Sequence, residues 1–196
     1  GTCSSGTATE MWNDGTTGKY NSSLDFDDTD DYISVSNPGL PTADFTYSAW
    51  VNLDADSSSD TIVSVHDNSG GNFDEMRILI TDPDPQNIEV RLDNSTRLTT
   101  NLTIPDSTWT HVVVTRNGST ILAYKDGVQD SVTGSYGTAL NFSTCQLLIG
   151  VDPDLGCTGT LGNFLDGRID DVRIYNYAVT ATQVRTLYNE GSAVRF

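Results

Sequence analysis

Long apolar stretches are absent from this chain of 196 residues. No run reaches the roughly 18 residues that a membrane helix needs, which excludes direct membrane insertion by a helix. Basic residues are scarce. Ten Lys and Arg stand against 27 Asp and Glu, a formal net charge of −17. Such a surface repels phosphate backbones, so nucleic acid is excluded as a partner. Glutamate is scarcer still, confined to positions 10, 75, 89 and 190. The acid is therefore nearly all Asp, a residue of turns and of loops that bind hard cations. A soluble surface suited to salty or extracellular surroundings explains the charge equally well.

Catalytic signatures are missing too. There is no G-x-S-x-G, P-loop or H-E-x-x-H, and the two histidines, His66 and His111, stand in no evident triad. Cysteine is limited to three residues without a C-x-x-C pair, which gives no support for zinc. Cys145 and Cys157 flank "QLLIGVDPDLG", a strand followed by a loop, and a local disulfide is expected between them. Cys3 is left over, free or joined to a part of the protein outside this chain.

What is present is a succession of short β-rich runs separated by polar breaks, the pattern of an all-β sandwich. Expected strands are Ser23–Phe26, Tyr32–Val35, Phe45–Leu53, Thr61–His66, Met76–Thr81, Ile88–Leu92 and Arg97–Leu102. They continue with Thr110–Arg116, Ser119–Lys125, Val128–Thr133, Cys145–Ile149 and Gly167–Tyr175. Asn117-Gly118 and Asp126-Gly127 mark two successive hairpins, since both pairs tolerate positive φ. One helix is expected in "TATQVRTLYNEG", where Thr180 and Gln183 form a capping box and Gly191 ends the element. Val184, Leu187 and Tyr188 share one of its faces, which is expected to pack across an end of the sandwich. The chain reads as one domain over residues 1–196, with residues 1–19 adding an edge strand.

Three segments together resemble the laminin-G-like domains of the concanavalin A-like lectin/glucanase superfamily. "SLDFDDTDDYISV" with "FTYSAWVNL" is similar to that family's opening F-D-G-x-D-D-Y-V and I-S-A-W-V strands. "WTHVVVTRNGSTILAYKDGV" is similar to its W-x-H-V-A-V-T hairpin pair ending in Y-x-D-G, and "LDGRIDDVRIYNYAVTATQV" to its closing strand and helix. The resemblance covers roughly residues 20–190 and implies a two-sheet antiparallel jelly roll with one short C-terminal helix. Asp28 stands where the family usually has Gly, and Asp tolerates the left-handed backbone that Gly would adopt there.

The resemblance also implies a structural Ca²⁺ between the opening and closing segments. Strict alternation in "GRIDDVRIYNYAV" puts Asp170 on the same inward face as Val172 and Ile174, where a lone carboxylate is costly. Asp27, Asp28 and Asp170, with nearby carbonyls, would supply the oxygens that Ca²⁺ requires. A salt bridge from Arg168 to Asp170 is the competing arrangement. Asp30 and Asp31 read as turn acids beside the site.

For ligand binding, the Gly-rich loop "HDNSGGNFDE" gathers His66, Asp67, Asn68, Asn72, Phe73 and Asp74, with Tyr136 and Asp152 facing it from other loops. Aromatic faces with amides and acids around them are the chemistry of sugar recognition. Trp50 and Trp109 are expected in the core. Fold relatives that cut β-glucans carry two Glu around an Asp on one strand, and this chain has no such motif. It therefore reads as a non-catalytic extracellular or cell-surface module binding a glycan or a surface ligand. Its alternative is an adhesion, display or spacer domain that contacts a cell-surface protein. A glycoside hydrolase is the weakest reading.

Overall fold

The computed structural model describes residues 2–3, 12–36, 39–55, 58–66, 74–82, 86–142, 145–153, 157 and 159–190. In chain order the strands are β1 (Thr2–Cys3), β2 (Trp12–Gly18), β3 (Asn21–Asp27), β4 (Ile33–Val35), β5 (Phe45–Leu53) and β6 (Asp60–His66). Next come β7 (Asp74–Ile80), β8 (Asn87–Leu92), β9 (Ser95–Thr103), β10 (Thr110–Asn117), β11 (Thr120–Lys125) and β12 (Val128–Gln129). The last are β13 (Gly134–Ser135), β14 (Leu147–Ile149), β15 (Asp152–Pro153), β16 (Leu161–Gly162) and β17 (Asp166–Tyr175), followed by helix α1 (Ala181–Asn189).

The strands form two stacked antiparallel sheets. One is seven-stranded in the order β1-β4-β14-β6-β7-β8-β9. The other is eight-stranded, in the order β12-β11-β10-β5-β17-β3-β2, with β13 joined to β11. A small hairpin, β15-β16, completes the set. β2 lies at the edge of the eight-stranded sheet. The central strand β5 shows how the sequence builds the layers. Phe45, Tyr47, Ala49, Val51 and Leu53 alternate into the inter-sheet core, while Thr46, Ser48 and Trp50 face outward and are buried as well. A strand covered on both faces reads as a nearly continuous buried run.

The outer cover of the eight-stranded sheet is α1. Thr180 and Gln183 form both halves of its capping box, and its ring contacts run onto the sheet face rather than across an end of the sandwich. Tyr188 stacks on Trp50 with ring centroids 5.5 Å apart, and Val184 joins Val113, Tyr124 and Val179 in a second small core. Gly191 lies outside the described residues. Two turns fix the hairpins. Asp126 and Gly127 both adopt positive φ, as do Asp93 and Asn94 between β8 and β9, the geometry of a twist-matched two-residue turn.

Candidate functional site

The outer face of the seven-stranded sheet carries the main charged constellation. β6 presents Ser64 and His66 outward, and β7 presents Arg77 opposite Ser64. The segment around β15 lies across them, held where the Ser64 hydroxyl donates to the Val151 carbonyl at 2.8 Å. This brings Asp152 between His66 and Arg77. His66 Nε2–H donates to Asp152 Oδ1 at 2.8 Å, and Arg77 Nη1 donates to Asp152 Oδ2. A carboxylate only accepts, so Asp152 fixes which imidazole nitrogen carries the proton. His66 and Asp152 are only 1% and 2% exposed. Such a triad tolerates burial because each charge meets a partner.

Beside this triad a cleft of about 210 Å³ opens to solvent, lined by Tyr32, His66, Gln146, Leu148, Pro153 and Leu161 among others. Cys145 and Cys157, also in its wall, form the expected disulfide with Cα atoms 5.0 Å apart. Gln146 is exposed and accepts a hydrogen bond from the Ser34 hydroxyl. The cleft thus combines a tyrosine, a fixed imidazole, an amide and an apolar floor.

The structure brings together only part of the expected ligand set. His66 and Asp152 meet directly. Asp67, Asn68, Asn72 and Phe73 lie outside the described residues, and Asp74 opens β7 opposite His66. Tyr136 does not face them. It is 9% exposed and belongs to the core, with the guanidinium groups of Arg97 and Arg116 over its ring at 4.7 and 5.2 Å. Strands β7 and β8 separate its neighbour β9 from His66. Tyr32, Arg77 and Gln146 were missed. An arginine alternating outward from an apolar strand was the available signal for Arg77, whereas Tyr32 and Gln146 meet only through tertiary pairing of β4 with β14.

The Asp27–Asp28–Asp170 ligand set is not assembled, for a specific reason. Ile169 faces the core, Asp171 adopts φ +51° in a β-bulge, and Val172 returns to the core. The extra residue puts Asp170 on the outer face, against the expectation of strict alternation. There its Oδ2 accepts from the backbone N–H of Tyr20 at 2.8 Å. Arg168 instead approaches Asp25 at 3.5 Å. Asp27 pairs with Asp166, four residues and roughly 13 Å along the strand from Asp170.

Acids that do converge are Asp27, Asp30 and Asp31, whose ligand oxygens lie within 4.8 Å of one another. Asp31 is 5% exposed. Asp28, at φ +58°, turns the chain between them as the left-handed position requires. Its backbone N–H donates to Leu165 O at 3.1 Å. Three neighbouring carboxylates, one nearly buried, form an all-oxygen set of the kind that suits Ca²⁺. These residues fit the implied ion, and Asp170 is not among them.

A second histidine occupies the outer face of the eight-stranded sheet. His111 is 1% exposed and shares a 2.9 Å hydrogen bond with the Ser48 hydroxyl. Its ring lies 5.0 Å from Trp50 and 6.1 Å from Tyr188. Burial, and then the charges of Arg173 and Lys19, lower its pKa from 6.5 to about 4. Trp50 is fully packed, as expected. Trp109 is half-buried, its Nε1–H donating to Thr17 O at 3.2 Å.

Solved structures share this architecture. Domain 4 of AbnA, an extracellular arabinanase from Geobacillus stearothermophilus in complex with arabinotriose, superposes with TM-score 0.67 at 18% identity, over 96% of this chain and 82% of that one. A SAP-like pentraxin from Limulus polyphemus gives TM-score 0.60 at 17% identity, over 80% and 81% of the two chains. A sialidase from Trypanosoma rangeli gives 0.59 at 16%, over 85% of this chain and 27% of that one. No curated protein matches the sequence. Among the described residues no helix is long and apolar enough to cross a membrane. The laminin G family model described as "Concanavalin A-like lectin/glucanases superfamily" matches residues 27–185, and the chain belongs to that family.

Proposed function

We propose that this protein is a non-catalytic, extracellular carbohydrate-binding module, stabilised by a structural Ca²⁺ at Asp27, Asp30 and Asp31. The observation that carries the reading is the cleft above the His66–Asp152–Arg77 triad. A sugar ring offers an apolar C–H face and a polar rim. Tyr32 supplies an aromatic face for the former, and the exposed Gln146 amide supplies hydrogen-bonding groups for the latter. The triad and the disulfide hold these groups in place before the ligand arrives, which reduces the ordering cost of binding. Short neutral oligosaccharides are the favoured ligand class. The net charge of −17 disfavours polyanions, and the similar arabinanase domain holds arabinotriose.

Absence of catalysis is part of the proposal. Among the described residues the buried Ser48–His111 pair is the nearest approach to a nucleophile and base, but His111 Nδ1 meets no hydrogen-bonding partner. A ring with its pKa near 4 is also a poor base at neutral pH. The disulfide supports an oxidising, extracellular setting. A glycan array with and without EDTA tests the reading. Selective retention of neutral oligosaccharides is the expected result. Silence across a broad array contradicts sugar binding and favours an adhesion or display domain, and release of reducing sugar from polysaccharide contradicts the non-catalytic assignment.

A further inference from the structure

The opposite side of the sandwich holds a second groove. It runs between the end of β17 and α1, encloses about 190 Å³, and is lined by Tyr175, Tyr177, Gln183, Thr186, Leu187 and Glu190 among others. Tyr177 is 46% exposed, an unusual degree for an aromatic side chain among the described residues, and it meets Tyr175 edge-on with ring centroids 5.6 Å apart. We infer that this groove is a second carbohydrate site, taking a neutral sugar residue against the Tyr177 ring.

Each wall of the groove is fixed by an interaction of its own. The Thr46 hydroxyl, fully buried, donates to Tyr177 O at 2.8 Å and accepts from Val179 N–H at 2.9 Å. This pins the turn that carries Tyr177. Gln183 Oε1 accepts from the Thr180 backbone N–H and hydroxyl in the capping box. The amide is thereby oriented, and its Nε2 hydrogens remain as donors. Glu190 is held by Arg173 Nη1 at 2.5 Å, while Arg173 Nε donates to Asp171 at 2.8 Å. The carboxylate's charge is balanced, yet an acid–guanidinium pair still offers both acceptors and donors to sugar hydroxyls.

Chemistry selects the occupant. Leu187 is buried in the groove floor and Tyr177 stands at its side, which suits the C–H face of a pyranose or furanose. Amide, hydroxyl and carboxylate groups around them suit its rim. An anionic sugar would meet Glu190 and the −17 surface, and a purely apolar ligand would leave the polar groups unpaired. The groove sits on the outer side of the eight-stranded sheet and the His66 cleft on that of the seven-stranded sheet. The two sites therefore face apart, and one molecule would be able to bridge two polysaccharide chains. The inference does not rest on the His66 cleft being a sugar site.

Amide chemical-shift mapping of the whole chain, titrated separately with arabinotriose, xylotriose, cellotriose and mannotriose at millimolar concentrations, tests it. At least one trisaccharide is expected to shift amides within residues 175–190. Tyr177→Ala is expected to weaken that binding about tenfold, Tyr177→Phe to preserve it, and Thr186→Ala to weaken it less. No movement in residues 175–190 with any of the four overturns the inference. Binding there that is as tight in Tyr177→Ala as in the wild type overturns it as well. Movement near Tyr32, His66 or Gln146 reports separately on the other cleft.

Discussion

Asp170 and His111 face the same side of the eight-stranded sheet and meet their electrostatic cost in different ways. Asp170 Oδ2 accepts the backbone N–H of Tyr20. His111 gives up its charge, because a ring 1% exposed between Trp50 and Tyr188, with Arg173 and Lys19 nearby, holds a proton poorly. Above pH 6.5 the ring is neutral in both the folded and the unfolded chain. Between 6.5 and about 4 only the unfolded chain takes up the proton, so stability falls as pH falls through that window. The loss attributable to this group reaches about 3 kcal/mol at the acid end. Urea unfolding at pH 7 and pH 4.5 checks it: His111→Gln should lose distinctly less stability on acidification than the wild type. Equal losses would remove His111 from the account.

Asp171 shows why the site was only partly legible at this scale. Alternation is a rule about regular strands, and a bulge breaks it wherever two neighbouring strands impose different registers. In β17 the shift lies between Asp170 and Arg173 against β5, and no residue type in "RIDDVRI" announces it. The acids of the DDTDD run were visible. What the sequence did not reveal was that Asp30 and Asp31 close onto Asp27 while Asp170 lies roughly 13 Å further along the sheet.

At the scale of elements, α1 itself is the most sequence-determined part of the molecule. The capping box, the buried Val184 and Leu187 face and the Asp126-Gly127 turn follow from local rules and form where expected, whereas the other hairpin turns one residue later, at Gly118-Ser119, with Asn117 still paired to Thr120. The helix position does not follow from local rules. It lies over Trp50 and His111, which only the sheet brings together. Thr180→Ala should cost about 1 kcal/mol through loss of the N-cap. Gly127→Ala should cost more, because φ is +77° there and an added Cβ would lie 3.3 Å from the Arg185 side chain and 3.5 Å from Tyr188. Thermal unfolding of both variants measures the order. A Gly127→Ala protein as stable as the wild type would mean that α1 does not press on this turn.

For the whole molecule, the two sheets present different clefts on opposite sides, and the family's opening and closing segments are joined by pairing of β3 with β17. If Ca²⁺ adds to that joint through Asp27, Asp30 and Asp31, chelation should lower the melting temperature by roughly 5–10 °C. Asp170→Asn should show the same drop. Asp31→Asn should start lower and respond little to EDTA. A drop that disappears in Asp170→Asn but persists in Asp31→Asn would reverse the assignment.

The sandwich was legible because its alternation, turns and three family segments agree with one another. The His66 cleft was legible only through His66, Asp152 and the disulfide, since Tyr32 and Gln146 reach it from strands that pair across 112 residues of chain, as the Ser34–Gln146 hydrogen bond does. Binding at that cleft is the central claim. Its most direct measurement is isothermal titration of the oligosaccharide best retained on the array into the wild type, Tyr32→Ala and Gln146→Ala. The account predicts an affinity loss of about tenfold or more in Tyr32→Ala, a smaller loss in Gln146→Ala, and unchanged melting temperatures. Wild-type affinity in both variants would contradict it.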